Sequence, residues 1–331
     1  MSWDCNGRPS SDTMSTASGT GDMKTTLLAA SFALVLGSPR AAAAKPLRVV
    51  ATTPELADIV RRVGGANVSV DGLARGPEDI HQVVMKPSFV TKLNKADAVV
   101  YLGLTLEHSF LTGLLDVARN PRLRQDNVRQ CAGEGCIDCS EGVKVLEKPA
   151  SVSRAEGEIH PQGNPHYNLD PDEGPTVARN VAAGLSRVDP AGAADYDKNL
   201  KAFLAELEPK LAEWRKRAAA LKGVKAVSYH QDTPYLARFT GLQFVATVEP
   251  KPGVPPTPTH LERVVALMKA QGVKLIVREQ HFDAKTTAWL AEQTGAKVAV
   301  IGVMGNALPK TGTYLEFEER NLANLLEAVR P

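Results

Sequence analysis

The chain carries seven histidines, His81, His108, His160, His166, His230, His260 and His281, and three of them share one context. His230 directly follows the apolar run VKAVSY (224–229), His81 follows VSVDGL (68–73) across a short Gly-Pro loop, and His166 lies in the loop GNPHYNLDP (163–171) ahead of a helical pattern. Glu279, just past VKLIVR (273–278), has the same placement. In open α/β sheets the carboxyl ends of the strands face the crevice in which ligands bind, so side chains from distant segments converge there. Three imidazoles completed by a carboxylate or by water form a tetrahedral shell for Zn2+, and a nitrogen-rich set favours zinc over the oxygen-seeking Mn2+. The spacing is not itself a metal motif. Taken singly, each residue reads as a hydrogen-bonded loop or core histidine, and what singles them out is that three stand at strand ends.

The other candidates are weaker. His160, in EIHPQGNPH, reads either as an exposed loop histidine or as a mobile auxiliary ligand that collects zinc at the mouth of a cleft. His281 shares a strand face with Glu279 and is an alternative ligand, whereas His108 and His260 have no evident partner. Asp170 and Asp232 follow His166 and His230 closely and read as helix caps or as acceptors behind the imidazoles.

Positioning these residues requires strands whose carboxyl ends face one way. From Leu47 onward, short apolar runs alternate with amphipathic stretches, which predicts βα units around mainly parallel sheets. LRVVAT (47–52), VSVDGL (68–73), DAVVYLG (97–103) and GVKVLEKP (142–149) read as strands, with helices over 54–64, 87–96, 106–118 and from Pro171 to Arg187. The Gly- and Cys-containing remainder of 120–165 reads as irregular. A charged amphipathic helix over 191–221, interrupted only by Pro209, is long enough to tie two lobes together rigidly. The pattern then restarts with strands at 224–229, 242–247, 273–278 and 296–301 and helices near 232–240, 258–271, 283–294 and 312–329. The fold class is α/β, with two βα lobes joined by one long rigid helix and the site in the interlobe cleft.

Composition narrows the function. With 39 Lys+Arg against 37 Asp+Glu the net charge is +2, which argues against a nucleic-acid partner, and 5% aromatics leave little for base or sugar stacking. Met23-Lys24 opens a segment whose apolar core LLAASFALVLG (27–37) precedes the small residues Ala41–Ala44, the plan of a cleavable export signal. The expected organisation is an extension over 1–22, a signal over 23–44, an N-terminal lobe over 45–190, a connecting helix over 191–222 and a C-terminal lobe over 223–331. In an oxidising compartment Cys131, Cys136 and Cys139 predict one local disulfide and one free thiol, the pairing being open, with a three-thiolate metal site as the alternative.

At the level of motifs, GPEDIHQVVMKPSF (76–89) resembles the first histidine loop of the zinc- and manganese-specific solute-binding receptors of ABC importers. GNPHYNLDP (163–171) resembles their second histidine motif and SYHQDTPYLARFTGL (228–242) their third. VREQHFDAKTTAWLAEQTGAKV (277–298) is similar to the segment with the family's acidic position, and GTYLEFEERNLANLLEAV (312–329) to its C-terminal helix, so the motifs follow the family's order over about 47–330. The resemblance implies a soluble, monomeric periplasmic receptor that captures Zn2+ and hands it to a membrane ABC permease without chemical conversion. It carries His81, His166 and His230 over as ligands. A histidine at the third position matches the zinc-type pattern, whereas manganese-type members commonly have glutamate there. Two departures stand out: Ile80 replaces the proline usual before the first histidine, and Gly302 in IGVMGN stands where an aspartate often supplies the fourth ligand. The fourth position then falls to Glu279 or to water. A manganese or iron receptor of the same family is one alternative. The other is a secreted zinc-dependent hydrolase, which needs a general base such as Glu279, although no H-E-x-x-H occurs.

Overall fold

Strands that read as unbroken apolar runs must be covered on both faces, and Ala98–Tyr101 is buried at every residue. The computed structural model describes residues 45–151, 153, 157 and 160–330; the extension and export signal expected over 1–44 lie outside the described residues. The chain runs β1 (Leu47–Ala51), α1 (Pro54–Gly64), β2 (Val68–Gly72), α2 (Pro87–Lys95), β3 (Ala98–Tyr101), α3 (Leu111–Ala118), a small ribbon of β4 (Arg124–Asp126) and β5 (Gln130–Ala132), then β6 (Cys136–Asp138), α4 (Gly174–Val188) and α5 (Ala193–Ala218). The second series is β7 (Lys225–Ser228), α6 (Pro234–Thr240), β8 (Gln243–Thr247), α7 (Pro258–Gln271), β9 (Leu275–Glu279), α8 (Ala284–Thr294), β10 (Lys297–Ile301) and α9 (Tyr314–Ala328).

Two four-stranded sheets form, ordered β2-β1-β3-β6 and β10-β9-β7-β8, and every pairing within them is parallel. The mixed α/β architecture with mainly parallel sheets and a long helix is therefore as expected. Two local expectations are corrected. The stretch 142–149 forms no strand, because the place beside β3 is taken by Cys136–Asp138, which pairs with Val99–Tyr101. The helix expected over 106–118 begins only at Leu111: residues 104–110 form successive turns, and Phe110, at φ −135° and ψ −40°, leaves the helical path just before it. The disulfide joins Cys131 to Cys136, and Cys139 is the buried free thiol.

In α5, Tyr196, Phe203, Leu207, Leu211, Trp214 and Ala218 fall three, four or seven residues apart and make one buried stripe. Pro209 stands on the exposed side of that helix. At 1.5 Å per residue the helix is roughly 39 Å long, enough to cross both sheets. It packs on α1, α4 and α9. One apolar cluster joins Val60, Val181, Leu207 and Trp214 to Leu275, Ile301 and Leu322, so the two sheets share a continuous core. A second, smaller cluster around Val227, Met268, Ile276 and Leu290 covers the outer face of the β7–β10 sheet. Polar ties reinforce the joint: Arg217 donates to both Glu319 oxygens at 2.8 Å and Trp214 Nε1 donates to Glu319 at 2.7 Å.

Candidate metal centre

His81 lies in a 3-10 turn, Ile80–Gln82, on the loop that leaves β2, and Asp79 sets its direction. The Asp79 carboxylate accepts the His81 backbone N–H at 2.9 Å and lies 3.1 Å from Nδ1. Burial works against the Asp79 charge, but the His81 bond and the nearby imidazoles His81 and His281 outweigh it and hold the carboxyl at about 2. His166 repeats the device. Asn164, again two residues earlier, accepts the His166 N–H at 3.1 Å and pairs with Nδ1 at 2.9 Å. In the tautomer in which Nδ1–H donates to these acceptors, the lone pair is at Nε2. Both Nε2 atoms are buried and have no hydrogen-bond partner among the described residues. A buried orphan of this kind costs about 1–3 kcal/mol, which a bound cation would return.

His230 follows β7. There Val248 N–H donates to Ser228 O and Glu249 N–H to Tyr229 O, extending the β7–β8 register by two residues and bringing Glu249 beside the imidazole. The Glu249 carboxylate meets His230 Nδ1 at 2.6 Å, with both side chains buried. Burial alone would lower the His230 pKa; the Glu249 bond and the charges of Asp232, Glu249 and Asp79 raise it instead. His166 goes the other way, well below the ordinary histidine value, through burial and then the surrounding imidazoles.

The three predicted histidines converge. One ring nitrogen from each of His81, His166 and His230 lies within 4.8 Å of the other two, and all three side chains are buried. Their ring centroids are 5.1, 5.5 and 5.7 Å apart. Glu279 does not join this set. It ends β9 beneath the cluster, fully buried against Asp232 and the His230 amide, and burial together with the Asp232 charge pushes its carboxyl well above the usual range. The sequence reading left the fourth position to Glu279 or to water, and the cluster of converging donor atoms consists of the three histidines without Glu279.

The remaining candidates also find places. His160, read as an exposed loop residue or a mobile auxiliary ligand, is 9% exposed and stands against the cluster, its ring 5.4 Å from His81 and 5.9 Å from His166. His281 faces Asp79 at 3.9 Å and packs its ring, tilted, against Phe282, on the wall of a cavity of about 200 Å3 that also holds His81, His166 and His230. Val303, next to Gly302, supplies an apolar wall where the resemblance implied an aspartate. His260 Nε2 lies 3.2 Å from Thr247 O at the start of α7, and exposed His108 has Nδ1 2.9 Å from Thr105 O. Asp170 caps the turn before α4 by accepting the Asp172 N–H, and it takes a 2.7 Å bond from Arg238 of α6. Asp232 is not a cap; it lies buried against Glu279.

Asp79, Asn164 and Glu249 are the orienting residues that the sequence reading missed. The first two carry a local signal, a side-chain acceptor two residues before each histidine. Glu249 has none, since only strand pairing brings it to His230.

The arrangement suits a cation held by neutral nitrogens, and known proteins similar to this chain carry metals in their names. A metal ABC transporter substrate-binding lipoprotein, ScbA of Streptococcus cristatus, is 28% identical over 182 residues, which are 54% of this chain and 54% of that one. The high-affinity zinc uptake system protein ZnuA of Brucella abortus is 28% identical over 169 residues, 50% of each chain. The chain thus spans about half the length of these curated relatives. Among solved structures, the SBP FpvC of Pseudomonas aeruginosa in complex with Mn2+ matches 86% of this chain and 99% of its own with a TM-score of 0.72 at 23% identity, which shows a common fold. The family model for ZnuA, described as zinc-uptake complex component A, periplasmic, matches residues 49–328, and the chain belongs to this family of substrate-binding proteins, which are not enzymes.

Proposed function

We propose that the protein is an extracytoplasmic receptor that captures Zn2+ on His81, His166 and His230 and delivers it to an ABC permease. The observation that carries the reading is the cluster itself: three buried ring nitrogens, mutually within 4.8 Å, two of them without any other partner among the described residues. Each imidazole is held by an acceptor on its far nitrogen, as metal-bound histidines are. Nitrogen donors suit zinc, whereas Mn2+ prefers carboxylate, carbonyl and water oxygens. The export segment over 23–44 brings the chain to the periplasm, and no helix among the described residues is long and apolar enough to cross a membrane. The chain acts as a monomer with lobes at 45–190 and 223–331 and the connecting helix at 191–222.

Release follows from the shared core. Opening the lobes widely would expose the apolar cluster that links them, so the ion leaves through small loop or shear displacements around His81 and His160. The experiment is a zinc titration of the wild-type protein and of His81→Ala, His166→Ala and His230→Ala, with Mn2+ as competitor. Each variant should lose affinity at least about 10-fold. Unchanged affinity in all three refutes the site, and preferential Mn2+ binding refutes the choice of metal.

A further inference from the structure

Beyond the three histidines the cluster contains a fourth imidazole that the receptor reading leaves unused. For zinc at 2.0–2.1 Å from each imidazole nitrogen, four tetrahedrally placed rings would have centroids about 5.2 Å apart. The His81–His166, His81–His230 and His166–His230 separations of 5.1, 5.5 and 5.7 Å come close to that figure. So do the separations of His160 from His81 and His166, 5.4 and 5.9 Å. His160 is buried, although its nitrogen lies outside the 4.8 Å set, so its ring has to advance slightly to reach an ion held there. Space exists for the movement: a cavity of about 360 Å3 is lined by His160, His166 and His230.

The protein also invests structure in aiming this ring. His160 Nδ1 lies 3.0 Å from Thr105 Oγ1, which leaves Nε2 as the ligating atom when Nδ1–H donates to the hydroxyl. Thr105 adopts φ of 67°, a conformation that a β-branched residue rarely tolerates, and it follows Gly103 and Leu104, also at positive φ. The turn is pinned from below by buried Glu107, which accepts the Leu102 N–H at 2.7 Å, the Gly103 N–H at 3.2 Å and the Thr52 hydroxyl at 2.8 Å. Other donors on the walls are less well placed: Glu279 lies beneath the cluster against Asp232, Val303 is apolar, and His281 is turned toward Asp79 at 3.9 Å and packs its ring against Phe282 instead of against the three imidazoles.

We propose that His160 is the fourth ligand, closing an all-nitrogen tetrahedron around the ion held by His81, His166 and His230, and that Thr105 is its positioning residue. The proposal rests on the receptor reading and sharpens it to metal choice: filling the last position with nitrogen selects Zn2+ and disfavours Mn2+, which needs more oxygen ligands than this shell can offer.

Zinc K-edge X-ray absorption on the zinc-loaded protein should count four imidazoles in the wild type, and three with one oxygen in His160→Asn. In competition with a chromophoric chelator, His160→Asn should bind zinc at least about 10-fold more weakly, and His160→Asp should narrow the preference for Zn2+ over Mn2+ by a similar factor. Thr105→Val should lose part of that affinity and Thr105→Ser should restore it. Three imidazoles in the wild type overturn the proposal even if a variant misfolds, and leave the receptor reading intact so long as His81→Ala loses zinc. Zinc binding indifferent to His81→Ala overturns both.

Discussion

Replacing Glu249 by glutamine isolates the contribution of the carboxylate behind His230. The contact is 2.6 Å long and both side chains are less than 10% exposed, so solvent screens little of it. A hydrogen bond to a charged partner contributes about 1.5–3 kcal/mol, and outer partners of metal-bound histidines typically carry about 10–100-fold in affinity, which is about 1.4–2.7 kcal/mol. The two figures agree, so Glu249→Gln should weaken zinc binding by about 10–100-fold while leaving the fold intact, because glutamine retains an oxygen for the Gly253 N–H that Glu249 accepts at 3.2 Å. The assay is chelator competition on a double-mutant cycle with His230→Ala. If Glu249 acts through the imidazole, Glu249→Gln should cost almost nothing further once His230 is gone. An unchanged affinity in the single variant refutes the orienting role. A full 10–100-fold loss persisting in the His230→Ala background shows that the carboxylate acts on the metal by another route.

Three further outcomes follow from the same structure. Arg238 of α6 bonds Asp170 at 2.7 Å and Glu173 at 2.6 Å, and Asp170 is 1% exposed; Arg238→Ala should therefore cost about 3 kcal/mol in urea-melt stability by stranding a buried carboxylate, and a loss under about 1 kcal/mol would contradict this. Burial pushes the Glu107 carboxyl up to about 7, so the folded state holds a proton that the unfolded state releases near 4.5. That contribution is present below about pH 4.5 and is lost as pH rises to about 7, so stability measured against Glu107→Gln should shift by roughly 3 kcal/mol across the window, whereas parallel pH–stability curves would refute it. Finally, mass spectrometry of the exported chain alkylated under denaturing, non-reducing conditions should find Cys139 labelled and Cys131–Cys136 protected, and no labelling of Cys139 in the native state, where burial raises its thiol pKa.

Much of the scaffold was legible because its determinants are local. The runs at 47–51, 98–101 and 275–279 announce covered strands, the three-, four- and seven-residue apolar spacing of α5 announces its buried stripe, and Pro54, Pro87 and Pro258 mark helix starts. β6 was missed for the opposite reason. Three residues with one aliphatic side chain carry no period, and they become a strand only because the edge of β3 is open to them. The expected strand at 142–149 lost that place, and Leu146 N–H bonds the Tyr235 hydroxyl instead.

The site divides along the same line. The sequence pointed to His81, His166 and His230 as converging imidazoles, through their places in loops of an α/β chain and the motifs around them, but not to His160 beside them. Tertiary structure decided everything that depends on direction. Whether Glu279 meets the cleft or Asp232, whether His160 is exposed or packed against the cluster, and which carboxylate backs His230 are set by strand register and by a strained turn held from below by Glu107. A strand's period places a residue on a face. Where its nitrogen points is fixed by hydrogen bonds to partners far away in the chain, and those partners leave no mark in the local pattern.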